Sequence, residues 1–162
     1  MARATNFAVL ILFVLACESA GWVGSIFTLQ SIPAWYQTLL KPPFAPPDWV
    51  FAPVWLALYL VMGVAAYLVW EKMEGKSSQR ASSALNMFGI QLILNALWSV
   101  AFFGLRSPLL GLAVIILLLL AIALTIYRFH SIDRRAAWLM APYIVWVCFA
   151  ALLNFYIFAL NP

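Results

Sequence analysis

Three stretches of apolar sequence carry amides and aromatic rings at helical spacing. Gln91, Asn95, Trp98 and Phe102 recur at i, i+4, i+7 and i+11; Tyr143, Trp146, Ala150 and Asn154 at i, i+3, i+7 and i+11; and Phe51, Trp55, Tyr59 and Met62 at i, i+4, i+8 and i+11. Such spacing places each set on one helix face. Carboxamides in apolar surroundings are costly unless paired or wet, so these faces are expected to look inward. Aromatic walls with a few orienting amides are the composition of a binding pocket. A flat ring between such walls gains about 0.5–1.5 kcal/mol per aromatic pair beyond its area burial, so the suited ligand is planar and hydrophobic, a tetrapyrrole being one example.

The inventory for acid–base or nucleophilic catalysis is thin. The single histidine, His130, lies in a basic loop beside Arg128, and no Ser/His/Asp set, phosphate loop or metal-ligand spacing can be assembled. No catalytic residue, metal site or required cofactor is expected. Light- or oxidant-driven chemistry using tryptophans near a bound ring needs no titrating side chain and stays open as an alternative. Glu18 is the one carboxylate well inside an apolar run. It reads either as a functional group or as a protonated acid bonded to a neighbouring helix. Lys41 is placed either to meet the carboxylates of a tetrapyrrole or to snorkel at an interface. Cys17 and Cys148 lack metal or redox spacing and read as small packing residues.

The elements that must position these groups follow from composition. The 162 residues are 67% hydrophobic and 9% charged, which excludes an ordinary soluble domain. Crossing roughly 30 Å of hydrocarbon takes about 20 apolar residues, and five runs qualify, at about 6–27, 49–70, 82–104, 107–128 and 136–160. The expected fold is an all-α membrane protein, one domain over 1–162, with a bundle of five transmembrane helices. The first run reads as a span and not a cleaved leader, since Leu15 is bulky before Cys17 and apolar sequence continues to Phe27. Two rows of small residues on it, Ala16/Ala20/Gly24 and Cys17/Gly21/Ser25, favour close helix packing. The fourth run is apolar all round before Thr125 and is expected to cover the bundle against lipid.

The one long connector, 28–48, is a structured loop. Six of the nine prolines and three of the eight tryptophans lie between Pro33 and Trp55, and Asp48 is expected to cap the helix that follows. Seven cations, Arg3, Lys72, Lys76, Arg80, Arg128, Arg134 and Arg135, fall on one side of the spans and two, Lys41 and Arg106, on the other. That bias puts the N-terminus in the cytoplasm. It also accounts for the +4 charge without a nucleic-acid partner. Trp22, Trp70 and Trp138 are read as interfacial anchors. Neither paired internal repeats nor mid-span breaks, the usual pointers to a secondary transporter, are found, although transport of porphyrins or amphipaths by a small oligomer stays open.

Nearly the whole chain resembles the translocator protein or tryptophan-rich sensory protein family, also described as peripheral benzodiazepine receptor-like. The resemblance rests on Gly21 and Gly24, Trp35-Tyr36, Leu39, Lys41-Pro42, Pro46-Pro47, Trp49-Val50, Pro53, Trp55, Tyr59, Met62-Gly63 and Tyr67-Leu68-Val69-Trp70. It continues through Gln91, Leu94-Asn95, Trp98, Phe102-Phe103-Gly104, Pro142-Tyr143, Trp146, Ala150 and Leu153-Asn154. It implies a five-helix bundle, commonly a homodimer, binding porphyrins and benzodiazepine- or isoquinoline-type drugs under the first loop. By position it implies that Trp55, Asn95, Trp98, Phe103, Trp146, Ala150 and Asn154 line the pocket, with Trp35 and Trp49 closing it. Tyr156 is followed by Ile157 and not by a basic residue, which weighs against the cholesterol motif of animal members and for a bacterial-type member.

Overall fold

The computed structural model describes residues 2–73 and 78–161, with side chains from Asn6 onward. Lys76 and the Arg3 side chain, two of the counted cations, lie outside the described set. Among the described residues every regular element is helical: α1 (Ala2–Ala34), α2 (Phe51–Trp70), α3 (Ser78–Ser99, prolonged by a wide turn at Val100–Gly104), α4 (Pro108–His130), α5 (Arg134–Leu139) and α6 (Ala141–Leu160). Among the described residues five helical segments are long and apolar enough to cross a membrane, α5 and α6 together forming the fifth.

Glycine and alanine set how these helices meet. A Cβ on Gly63 would stand 2.6 Å from the Val14 Cα, one on Gly21 2.5 Å from the Tyr59 ring, and one on Gly24 2.8 Å from the Ser99 hydroxyl. Bare backbone at these three positions lets α1 lie directly on α2 and α3. Of the small-residue rows, Cys17, Ala20 and Gly24 are buried, whereas Ala16 is exposed. Around the bundle α2 packs on α1, α1 on α3, α3 on α4 and α4 on α6, with α5 closing against α2 and α4.

Local signals explain most ends. Ser107 accepts the Leu110 N–H at 3.2 Å with Pro108 opening α4, and Asp133 accepts the Arg135 N–H at 2.8 Å to open α5. The fifth span breaks at buried Met140, where Pro142 enters the first turn of α6 and its missing N–H forfeits no helical bond. Three expectations need correction, those on the end of α1, on Asp48 and on Cys148. α1 runs on to Ala34, past Phe27, because Ile32 still has an apolar surface to cover and Ser31 bonds across to the Phe103 carbonyl at 2.6 Å. Asp48 does not cap α2 with its side chain; it stands 4.0 Å from Lys41 in a short turn, Asp48–Val50, that leads into the helix. Consistent with a covering helix, α4 buries Gly111, Ile115, Leu118, Ile122, Thr125 and Phe129 and leaves Ile116, Leu117, Leu120 and Leu124 exposed. Cys148 faces outward, so only Cys17 is a buried packing residue.

Candidate functional site

A cavity of about 330 Å³ lies among α1, α2, α3 and α6, beneath the loop that joins α1 to α2. Phe51, Trp55 and Tyr59 descend one wall from α2; Asn95, Trp98, Phe102 and Phe103 come from α3; Ala150, Leu153, Asn154 and Ile157 come from α6. Trp55 stacks on Tyr59 with ring centres 5.4 Å apart, and Trp98 stacks on Phe102 at 5.5 Å. The walls are therefore layered flat rings, each supported by another.

Two consecutive phenylalanines, Phe102 and Phe103, border the cavity from the last turn of α3. Val100–Gly104 winds there as a π turn, with the Leu105 N–H bonded to the Val100 carbonyl at 2.8 Å. Such wide turns recur at functional sites. The two rings meet edge to face at 4.8 Å, and Trp35 and Tyr36 from the loop close on them, Trp35 on Phe102 at 5.5 Å and Tyr36 on Phe103 at 5.7 Å.

The amides are committed to particular partners. Tyr59 donates its hydroxyl to Asn95 Oδ1, Asn95 Nδ2 donates to the Tyr143 hydroxyl at 3.1 Å, and Tyr143 donates to Gln91 Oε1 at 2.8 Å. This buried relay fastens α2, α3 and α6 to one another below the cavity. Among the described residues its last member, Gln91 Nε2, has no partner, and neither does Trp146 Nε1. Asn154 accepts from Trp98 Nε1 at 3.2 Å and donates to the Pro108 carbonyl at 2.7 Å, so it fixes the Trp98 ring against the start of α4.

Of the residues expected to form the site, Phe51, Trp55, Asn95, Trp98, Phe103, Ala150 and Asn154 border the cavity. Gln91 and Tyr143 stand behind its wall in the relay. Trp146 does not share the space under Ala150, because its ring packs at 5.9 Å on Phe51 and 5.5 Å on Phe149. Trp49 does not close the cavity either; it is 74% exposed. Trp35 reaches the site only through Phe102. Lys41 lies at the rim, its ammonium 4.1 Å above the Tyr36 ring. Burial, with the Asp48 carboxylate adding to it, pushes the Tyr36 phenol up to about 12, so the ring under Lys41 stays neutral.

The wall that sequence reasoning missed is α1. Glu18, Gly21, Trp22, Ser25, Leu29 and Ile32 all border the cavity. Their three- and four-residue spacing was the available signal, but the same run reads equally as lipid-facing sequence. Trp22, taken for an anchor, is both exposed and cavity-lining. Among the described residues no three His, Cys, Asp or Glu side chains gather to hold a metal ion.

Known proteins share this pattern over almost all of its length. Residues 13–160 match the TspO/MBR family. The chain is 43% identical to the tryptophan-rich protein TspO of Archaeoglobus fulgidus over 96% of this chain and 99% of that one. It is 39% identical to the translocator protein of Homo sapiens over 88% and 84%, and 34% identical to the tryptophan-rich sensory protein of Cereibacter sphaeroides over 96% and 93%. With five membrane-crossing helices and this extent of similarity, the chain is a multi-pass integral membrane protein that belongs to the TspO/MBR family.

Proposed function

We propose that this protein binds and senses flat hydrophobic ligands, porphyrin-type tetrapyrroles foremost and benzodiazepine- or isoquinoline-type drugs by the same chemistry. The observation that carries the reading is the cavity itself. Its volume of about 330 Å³ falls in the ~300–1,000 Å³ range of small-molecule sites. Its walls are stacked aromatic rings, with Asn95 and Asn154 supplying polar edges. The names of relatives, a translocator protein and a tryptophan-rich sensory protein, support a membrane receptor role. A ligand ring lies against Trp55 and Trp98 and is roofed by Phe102, Phe103 and Tyr36. The N-terminus faces the cytoplasm by the charge bias, and the protein works as a homodimer; cysteine accessibility from either side and crosslinking in membranes check these two points.

The deciding experiment titrates the solubilised protein with protoporphyrin in the dark and then in light, following tryptophan quenching and the porphyrin absorption together. Saturable quenching with an unchanged spectrum, weakened by Trp55→Ala, is the expected result. Protein-dependent bleaching would replace the reading with porphyrin degradation, protein-dependent flux in sealed vesicles would replace it with transport, and no saturable quenching would remove the tetrapyrrole.

A further inference from the structure

The cavity has one carboxyl group with nothing to bind among the described residues. Ser25 donates its hydroxyl to the Trp22 carbonyl at 2.7 Å and Thr28 to the Gly24 carbonyl at 3.0 Å, so both α1 hydroxyls are spent on their own helix. Trp98 Nε1 is held by Asn154, and the Tyr59 hydroxyl by Asn95. Asp48, at the mouth, faces Lys41 at 4.0 Å. Of the two carboxyl groups bordering the cavity, Glu18 is the one that makes no hydrogen bond or ion pair among the described residues.

Its position is as informative as its vacancy. At 1.5 Å per residue Glu18 lies about 21 Å down α1 from Ile32 under the loop, so it occupies the deep end. The titratable groups packed nearest to it are Cys17 on its own helix and Tyr59 on α2. None of the described residues bordering the cavity is Lys, Arg or His. The wall donors Ser99, Tyr36 and Trp22 make no bond to it, so an acceptor here takes its donor from what enters the cavity.

We propose that Glu18 is a specificity residue, selecting planar aromatic ligands that carry a protonated nitrogen on the edge that reaches the deep end of the cavity. This rests on the ligand reading above and refines it: the carboxyl accepts the N–H of the cationic ring edge, while anionic substituents stay at the rim beside Lys41. Tryptophan quenching in one detergent, with 9-aminoacridine as the cationic probe, 9-methylanthracene as its neutral counterpart and protoporphyrin alongside, tests it. The wild type is expected to prefer the cation over the neutral ring. Glu18→Gln should lower that preference about tenfold, the scale of one charge-assisted hydrogen bond, and Glu18→Asp should keep most of it. Comparing the same two probes on each variant cancels their partition into detergent, and an unchanged tryptophan emission maximum confirms that the variants are folded. Saturable porphyrin quenching with a preference that is absent, or that survives Glu18→Gln, overturns the Glu18 assignment alone. No saturable quenching by any of the three overturns the ligand reading with it.

Discussion

Replacing Gly63 by alanine tests how tightly α1 is set against α2. The added methyl would stand 2.6 Å from the Val14 Cα and 2.9 Å from its N, where ordinary contact begins at 3.4 Å. The obstacle is backbone, so no rotamer change relieves it, and α1 must retreat by about 0.8 Å. That retreat also loosens the contacts at Gly21 and Gly24 further along the same helix. Forced repacking of this kind costs about 1–3 kcal/mol, which for a chain of this size lowers the unfolding midpoint by about 3–10 °C. Gly89 is the control, because its Cβ would meet nothing within 4 Å. There alanine removes the entropic penalty of a mid-helix glycine, roughly 0.5–1 kcal/mol, and the midpoint rises by about 1–4 °C. Gly21→Ala falls between them, since it meets the Tyr59 ring and not main chain, though that ring is only 5% exposed and tied to Asn95. Thermal unfolding of the three variants in one detergent, followed by circular dichroism, supplies the ranking. A Gly63→Ala protein as stable as Gly89→Ala would refute the close-packing argument.

Asn154→Ala strands the Trp98 Nε1 donor and removes a second bond from the Pro108 carbonyl; a loss of about 1–3 kcal/mol is expected, with a red-shifted tryptophan emission as Trp98 loosens. Asp133, capping α5, is held below the usual carboxylate range first by its side-chain bond with Arg135. A lowered folded-state pKa gives stability that is complete above the unfolded value and lost as pH falls through the folded one. Unfolding midpoints of the wild type should therefore drop below about pH 4, and Asp133→Asn, which keeps a capping oxygen but no charge, should flatten that acid limb. Asn161 binds both the N–H and the carbonyl of Leu40, each at 3.0 Å, and so clips the loop to the end of α6. Asn161→Ala should speed both association and dissociation of a quenching ligand in stopped flow, with a smaller change in affinity.

What could be read from the sequence followed regular periodicity. The stripe Gln91, Asn95, Trp98 keeps its α-helical spacing, and an amide among apolar residues has few tolerable orientations, so its inward face was legible. The run Val100–Gly104 contains no proline or other breaker before Gly104 to announce a wide turn, so the placement of Phe103 came from resemblance and not from spacing. Trp146 was misplaced for a different reason. It lies on the inward side of α6, yet Phe51 and Phe149 reach its ring first, and which neighbour wins is a tertiary outcome. On α1, residues facing lipid and residues facing an apolar cavity need the same chemistry, and hydropathy does not separate them. Asp48 looked like a cap because caps and ion-pair partners share residue types; the nearness of Lys41 decided between them.

The wide turn at Val100–Gly104 makes the cavity wall sensitive to counting. It accommodates one more residue than an α-helix of equal rise, so the chain between Trp98 and Ser107 is quantised. Removing one residue there would let the segment relax into an ordinary helix that keeps the chain after it in register, at the expense of one of the paired rings in the roof. Substitutions in this stretch can be graded, whereas a single-codon deletion there is all or none for the shape of the roof.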